Sequence, residues 1–210
     1  MKITVLGAGN MGAAFVKQLT RAGHQVSVTA RDSAKAAQVA AAYPGAIAVA
    51  VAGAAAQADA VVLATGYGDA VAALASLGDL TGKVVIDITN PLTPDYMGLT
   101  IGHDTSAAEQ IAQAIPGAQV VKAFNTVFAQ VLAEGADFGA GRKVSVFVAS
   151  DSAAAKQTAS GIAESIGFEV IDAGGLKNAR YLEPLGGLNI YFGYGAGQGT
   201  AIAPTWIRKS

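Results

Sequence analysis

The sequence predicts an α/β fold, a doubly wound parallel sheet with a short helical extension at its C-terminal end. Three observations carry this. Short apolar runs rich in valine and isoleucine recur at residues 2–6, 25–29, 59–64, 83–88 and 119–123, as in strands buried on both faces. Alanine-rich segments of helical spacing separate them, which is the alternation of a sheet covered on both sides. The first run ends in a glycine cluster, Gly7-Ala8-Gly9-Asn10-Met11-Gly12, that opens a helix.

Taken in order, KITVL at 2–6 is the first strand. Met11, Ala14, Phe15 and Leu19 then recur at helical spacing through 10–22, with Asn10 as the predicted N-cap and Gly23 as the stop. QVSVT at 25–29 is the second strand, and the helix over 33–43 is capped by Asp32 or Ser33 and halted by Pro44-Gly45. A third strand is expected at 47–51, a short helix at 52–58, and a fourth strand at 59–64 that ends in Thr65-Gly66-Tyr67. A helix over 70–77 leads to the fifth strand, 83–88, which ends in Thr89-Asn90-Pro91-Leu92. After an irregular loop over 93–103, Ser106-x-x-Glu109 forms a capping box for a helix over 107–115. The sixth strand, 119–123, ends at Phe124-Asn125-Thr126. A helix at 127–133, a strand at 143–150, a helix capped by Asp151 or Ser152 and running to 166, and a strand at 168–172 follow. Residues 175–194 have helical spacing interrupted by Pro184 and Gly186-Gly187, and the tail 195–210 is expected to be extended. Residues 1–174 are thus expected to form one domain, and 175–210 a helix and tail that close its site or pair with a second copy.

Composition removes several function classes. With no cysteine there is no disulfide, thiolate zinc site, iron–sulfur cluster or cysteine nucleophile. His24 and His103 are far apart in sequence, which argues against a histidine-based metal site. A net charge of −1 leaves no electrostatic footprint for nucleic acid. The most apolar run, 46–56, is shorter than the ~20 residues that span a bilayer, so no membrane segment is expected. The opening MKITVLGAG runs into a strand without a basic leader, from which a cytoplasmic location is expected.

The glycine cluster has the G-x-G-x-x-G spacing of the dinucleotide motif, in the strand–turn–helix context that motif needs. Gly7 permits the tight turn, Gly9 lets a pyrophosphate approach the backbone, and Gly12 lets the helix pack on the strand. The free N–H groups and the positive end of the helix then face the diphosphate. This is a Rossmann-like arrangement. At the end of the second strand stands Thr29-Ala30-Arg31 rather than the acidic residue of an NAD site. Arg31 offers a fork of donors to a 2′-phosphate, and Ser33 and Lys35 add a hydroxyl and a charge, so NADP(H) is the predicted cofactor. Ligands in such sheets lie beyond the strand ends, which places Thr65, Gly66 and Tyr67 beside the nucleotide and Asn90 and Pro91 at its nicotinamide end.

With these residues in view, the chain resembles the family of NADPH-dependent reductases of the 5-deazaflavin coenzyme F420, whose fold also occurs in the nucleotide domain of membrane ferric reductases. The likeness rests on GAGNMG at 7–12, the Arg31 and Lys35 pair, DITNPL at 87–92, VVKAFNT at 120–126 and ARYLEPLGGLNI at 179–190. It implies hydride exchange between NADP(H) and an isoalloxazine-like small-molecule acceptor, coenzyme F420 or FMN, in a homodimer. It further implies that the glycine loop, the basic pair, Asn90-Pro91 and Ala123-Phe124-Asn125 line the NADP site. Ala30 stands where relatives often carry serine or threonine. Direct hydride transfer needs alignment of the reacting atoms more than it needs acid–base groups. His103 is the one titratable side chain that the topology offers as a proton or hydrogen-bond donor to the acceptor. Two other readings fit the motifs. A non-catalytic NADPH sensor suits the lack of an acid–base pair. An imine or β-hydroxyacid reductase suits the opening ITVLGAGNMG, but fewer than 40 residues follow the last strand, against the large helical domain such enzymes use.

Overall fold

A computed structural model describes residues 1–207 and 209. Arg208 and Ser210, in the expected tail, lie outside the described residues. Strands β1 (Lys2–Leu6), β2 (Gln25–Thr29), β3 (Ala46–Ala48), β4 (Ala60–Leu63), β5 (Val84–Asp87) and β6 (Gln119–Lys122) form one parallel sheet in the order β3-β2-β1-β4-β5-β6. Strands β7 (Ser145–Val148) and β8 (Glu169–Asp172) form a parallel pair, joined to β6 by an antiparallel bridge between Lys122 and Ala149. The helices are α1 (Asn10–Arg21), α2 (Ser33–Ala42), α3 (Tyr67–Ala75), α4 (Ala107–Ala114), α5 (Ala129–Glu134), α6 (Ala153–Ser165) and α7 (Ala179–Ile190).

Strand alternation sorts the core into two layers. Val5, Val28, Val62, Ile86 and Val121 meet Phe15 and Leu19 of α1, Val131 of α5 and Ile162 of α6 on one face. Leu6, Val61, Leu63 and Val85 meet Leu74 of α3 and Ile111 of α4 on the other. The sheet is therefore doubly wound, as the run of buried strands predicts. Its order reverses between β1 and β4, which sets the ligand crevice at their C-terminal ends.

Some expectations are corrected. Residues 52–58 are not a helix but successive turns, closed by Ala54 N–H to the Val51 carbonyl and Ala56 N–H to the Gly53 carbonyl, at 3.1 and 3.0 Å. Gly53 takes a φ of +78°, and so short a run gains too few bonds to offset helix nucleation. The third strand is shorter and earlier than 47–51. The N-cap of α1 is Gly9, not Asn10, which is the first helical residue. α7 also runs unbroken through Pro184, Gly186 and Gly187, and continues as one π-helical segment, Tyr191–Gly195. Its glycines serve close approach. A Cβ on Gly186 would lie 2.7 Å from Asn90 Oδ1, and one on Gly193 would lie 2.6 Å from the Phe128 ring. Beyond the π segment the described residues of the tail, through 207, are irregular and touch α5 and β7. Thr200 Oγ1 donates to Gln130 Oε1 at 2.6 Å, and the Trp206 and Phe147 ring centres are 6.5 Å apart.

Candidate functional site

The loop after β1 has a backbone that few side chains permit. Gly7 has a φ of +126°, and a Cβ there would sit 2.2 Å from the Ala64 carbonyl oxygen. A Cβ on Gly12 would sit 1.9 Å from the Gly7 carbonyl oxygen, so this glycine is what lets α1 close on the loop. Nothing lies within 4 Å of the equivalent point on Gly9. Gly9 caps α1 without a side-chain hydrogen bond, which leaves the first-turn N–H groups for a ligand.

At the end of β2, Arg31, Ser33 and Lys35 are exposed. Asp32 caps α2, its Oδ1 accepting from Ala34 N–H at 3.0 Å and Lys35 N–H at 3.2 Å. Among the described residues neither Arg31 nor Lys35 enters an ion pair.

Between the loop and α7 lies an open cleft of about 780 Å³. Gly9, Asn10 and Met11 line one end, and Asn90, Asn125, Gly186 and Asn189 line the floor. Tyr96, Met97 and Tyr194 stand at the mouth, Tyr96 and Tyr194 more than half-exposed and Met97 slightly less. The floor is a fixed amide pair. Asn90 Nδ2 donates to the Asn125 carbonyl at 2.8 Å, while Asn125 Nδ2 donates to Asn90 Oδ1 at 2.9 Å and to the Leu182 carbonyl at 2.7 Å. Both Nδ2 donors of Asn125 are thereby used, and its Oδ1 is buried without a partner among the described residues. The hydroxyls of Thr29, Thr65, Thr89 and Thr126 are also buried and have no partner among the described residues, and every one of them follows or ends a parallel strand. Unsatisfied buried polar atoms are uncommon, and their gathering at one sheet edge fits a polar ligand there. The open backbone at Gly9, these acceptors and the exposed cations together fit a phosphorylated dinucleotide. The carboxylate lining the cleft, Asp95, is held below the usual range by the Thr93 hydroxyl and then the Met97 N–H, both of which donate to it. It is engaged in its own turn and is not poised as a proton donor.

Beneath the amide pair lies a fully buried ionic cluster. Lys122 Nζ meets Asp87 Oδ2 at 2.7 Å, Glu183 Oε1 at 2.9 Å and the Thr89 carbonyl at 2.7 Å. Glu183 also accepts from Ala107 and Ala108 N–H, at 2.9 and 3.1 Å, so it bonds the start of α4.

The structure gathers Gly9, Asn10, Met11, Asn90, Phe124 and Asn125 around the cleft. Phe124 takes part through its backbone, at a φ of +59°, because its ring is buried edge-on between Phe15 and Phe168. Ala123 is buried, and its N–H donates to the Asp87 carbonyl. Tyr67 turns away, its hydroxyl donating to Gln110 of α4, and burial followed by the nearby Glu183 and Asp87 charges raises its pKa. His103 does not line the cleft. It is exposed and borders a second cavity of about 960 Å³ with Lys177, Arg180 and Tyr181.

Residues 2–91 match the model of the NADP oxidoreductase family described as coenzyme F420-dependent. An F420-dependent NADP reductase of Methanothermobacter marburgensis is 34% identical over 202 residues, covering 88% of this chain and 89% of that protein. The chain belongs to this family. By that membership it is an NADP-linked oxidoreductase. A solved structure from Arthrobacter sp. FB24, provisionally described as an F420-dependent NADP reductase, superposes with a TM-score of 0.87 at 33% identity, covering 99% of this chain and 100% of that one. Metalloreductase STEAP3 of Rattus norvegicus is 30% identical over 185 residues, 88% of this chain, which spans 36% of that relative's length. An imine reductase from Pseudomonas sp. has a TM-score of 0.66 at 19% identity and shares the fold alone.

The family match covers the glycine loop, the basic pair and Asn90-Pro91. Sequence reasoning missed Lys122, Glu183, Gly186 and Asn189. A charge at the end of an apolar strand and another inside an apolar helix were the available signals for the first two.

Proposed function

We propose that the protein binds NADPH across the C-terminal edge of the sheet and passes its hydride directly to a deazaflavin, or a flavin-like acceptor such as FMN. Bound NADPH would supply the hydride from its nicotinamide ring. The first-turn N–H groups of α1 and the loop at 7–12 border the diphosphate, and Thr65 and Gly66 beyond β4 lie beside the nucleotide, with the Tyr67 hydroxyl held away on Gln110. Arg31, with Ser33 and Lys35, receives the 2′-phosphate. Asn90 and Pro91 lie at the nicotinamide end with Ala123, Phe124 and Asn125, and α7 walls the cleft against water. The reading is carried by the cleft itself, which has the glycine loop at one end and a fixed amide floor at the other, and whose described lining holds no histidine, lysine or arginine and, as its one carboxylate, Asp95, bonded within its own turn. Such a site aligns two rings and does little else. The reading gives no part in the hydride transfer to His103, which borders the second cavity.

A second copy of the chain fits the exposed apolar residues Leu188, Tyr191 and Phe192 at the end of α7 and the π segment, which a lone subunit would leave in water. Calorimetry with NADPH and NADH tests the nucleotide assignment, and sedimentation tests the homodimer. Tight NADPH binding with acceptor-dependent oxidation supports the reading. Tight binding without oxidation by deazaflavin, FMN or ferric chelate would turn it toward a sensor. A species sedimenting as a monomer at micromolar concentration would remove the second copy.

A further inference from the structure

We propose that Lys122 is a positioning residue for the cleft, holding the peptide that presents Asn90. This rests on the reading that the Asn90 end of the cleft takes the nicotinamide. All three ammonium N–H groups are used, on Asp87 Oδ2, Glu183 Oε1 and the Thr89 carbonyl. The Thr89 carbonyl belongs to the peptide that joins Thr89 to Asn90. Asp87 Oδ1 accepts from the Thr89 N–H at 2.8 Å, so the residue before Asn90 is gripped at both its donor and its acceptor. Glu183 adjoins Leu182, whose carbonyl anchors Asn125, and Lys122 ends the strand that leads into Asn125. The cluster thus touches the chain beside each component of the amide floor.

Stability alone accounts poorly for it. Charges with side chains 0 to 2% exposed carry a large desolvation cost, and apolar side chains of the same volume often serve as well. What an apolar replacement would not supply is a donor for the Thr89 carbonyl.

The test is the triple variant Asp87→Asn, Lys122→Met, Glu183→Gln. It leaves no buried charge, keeps an amide oxygen for Thr89 N–H, and offers one amide oxygen where Glu183 gave separate oxygens to Ala107 and Ala108 N–H, so the Thr89 carbonyl and one N–H of α4 lose their partners. Calorimetry compares NADPH with 2′-phospho-ADP-ribose, which lacks the nicotinamide. The expected result is that NADPH binding weakens at least about tenfold while the fragment stays within about threefold of wild type. Unchanged NADPH affinity in the folded variant overturns the proposal, and so does an equal loss for both ligands, which marks a purely structural role. If the triple variant does not fold, Lys122→Met with Asp87→Asn, which leaves Glu183 as a carboxylate on the two N–H groups at the start of α4, carries the same readout. Wild-type protein that binds both ligands equally well removes the nicotinamide from the cleft, and the proposal falls with the functional reading. Wild-type preference for NADPH with no change in the variant sinks the positioning role alone.

Discussion

At Gly9 the chain leaves empty space, and at Gly12 it leaves none; the same residue type serves opposite ends at the two positions. Both were legible in the sequence, because a turn that needs a positive φ, an open face and a close contact within six residues admits little but glycine. Arg31 was legible for a different reason. A cation in place of an acid at the end of the second strand reverses which ribose substituent can be accepted, and the capping of α2 by Asp32 leaves the Arg31 side chain exposed. Replacing Arg31 by Glu is expected to raise the dissociation constant for NADPH more than tenfold and to leave NADH little changed, since a charge-assisted contact contributes about 1.5 to 3 kcal/mol. Titration calorimetry of the two nucleotides reads this directly, and equal losses for both would remove Arg31 from the phosphate site. Lys122 could not be read in the same way. Its partners Asp87 and Glu183 belong to other elements, and nothing in the local pattern joins them.

Helix α4 shows how an element ties the C-terminal extension to the sheet. Ser106 caps it through Glu109 N–H at 3.2 Å, as the capping box predicts, but the Glu109 carboxylate also pairs with Arg180 of α7 at 2.7 and 2.9 Å. With Glu183 bonded to the first turn of α4, the two helices exchange charged contacts in both directions. Hydrogen bonding by Arg180, and then by the Ser106 hydroxyl, holds Glu109 below the usual 4.5. Because the folded-state value is depressed, the contribution of Glu109 is complete above the unfolded value and disappears as pH falls through the folded one. Glu109→Gln should therefore lower the thermal midpoint at neutral pH, and the gap to wild type should close as pH falls below the usual glutamate range. A gap that is constant over that range would show that the pair does not couple α4 to α7. The boundaries of α4 were readable from its cap and the following Pro116-Gly117. The contact with α7 was not, since it depends on how the chain returns after β8.

For the molecule as a whole, the parallel alternation was readable because each strand is buried on both faces and each crossover helix is apolar on one. The order of strands then places the crevice without further information. What the pattern did not reveal is how α7 closes that crevice. Pro184 and the glycine pair look like breaks in the sequence, whereas in the structure Gly186 allows the helix to approach the Asn90 and Asn125 amides. The described helices include none long and apolar enough to cross a membrane. At this scale the account reduces to two rings brought face to face with no side chain passing a proton between them. The most direct measurement is single-turnover reaction of protein, oxidised deazaflavin and NADPH carrying deuterium at the transferable C4 position. The account predicts that the deuterium is recovered on the reduced acceptor, with none in water. Deuterium lost to solvent, or NADPH left unoxidised in the presence of the acceptor, would contradict it.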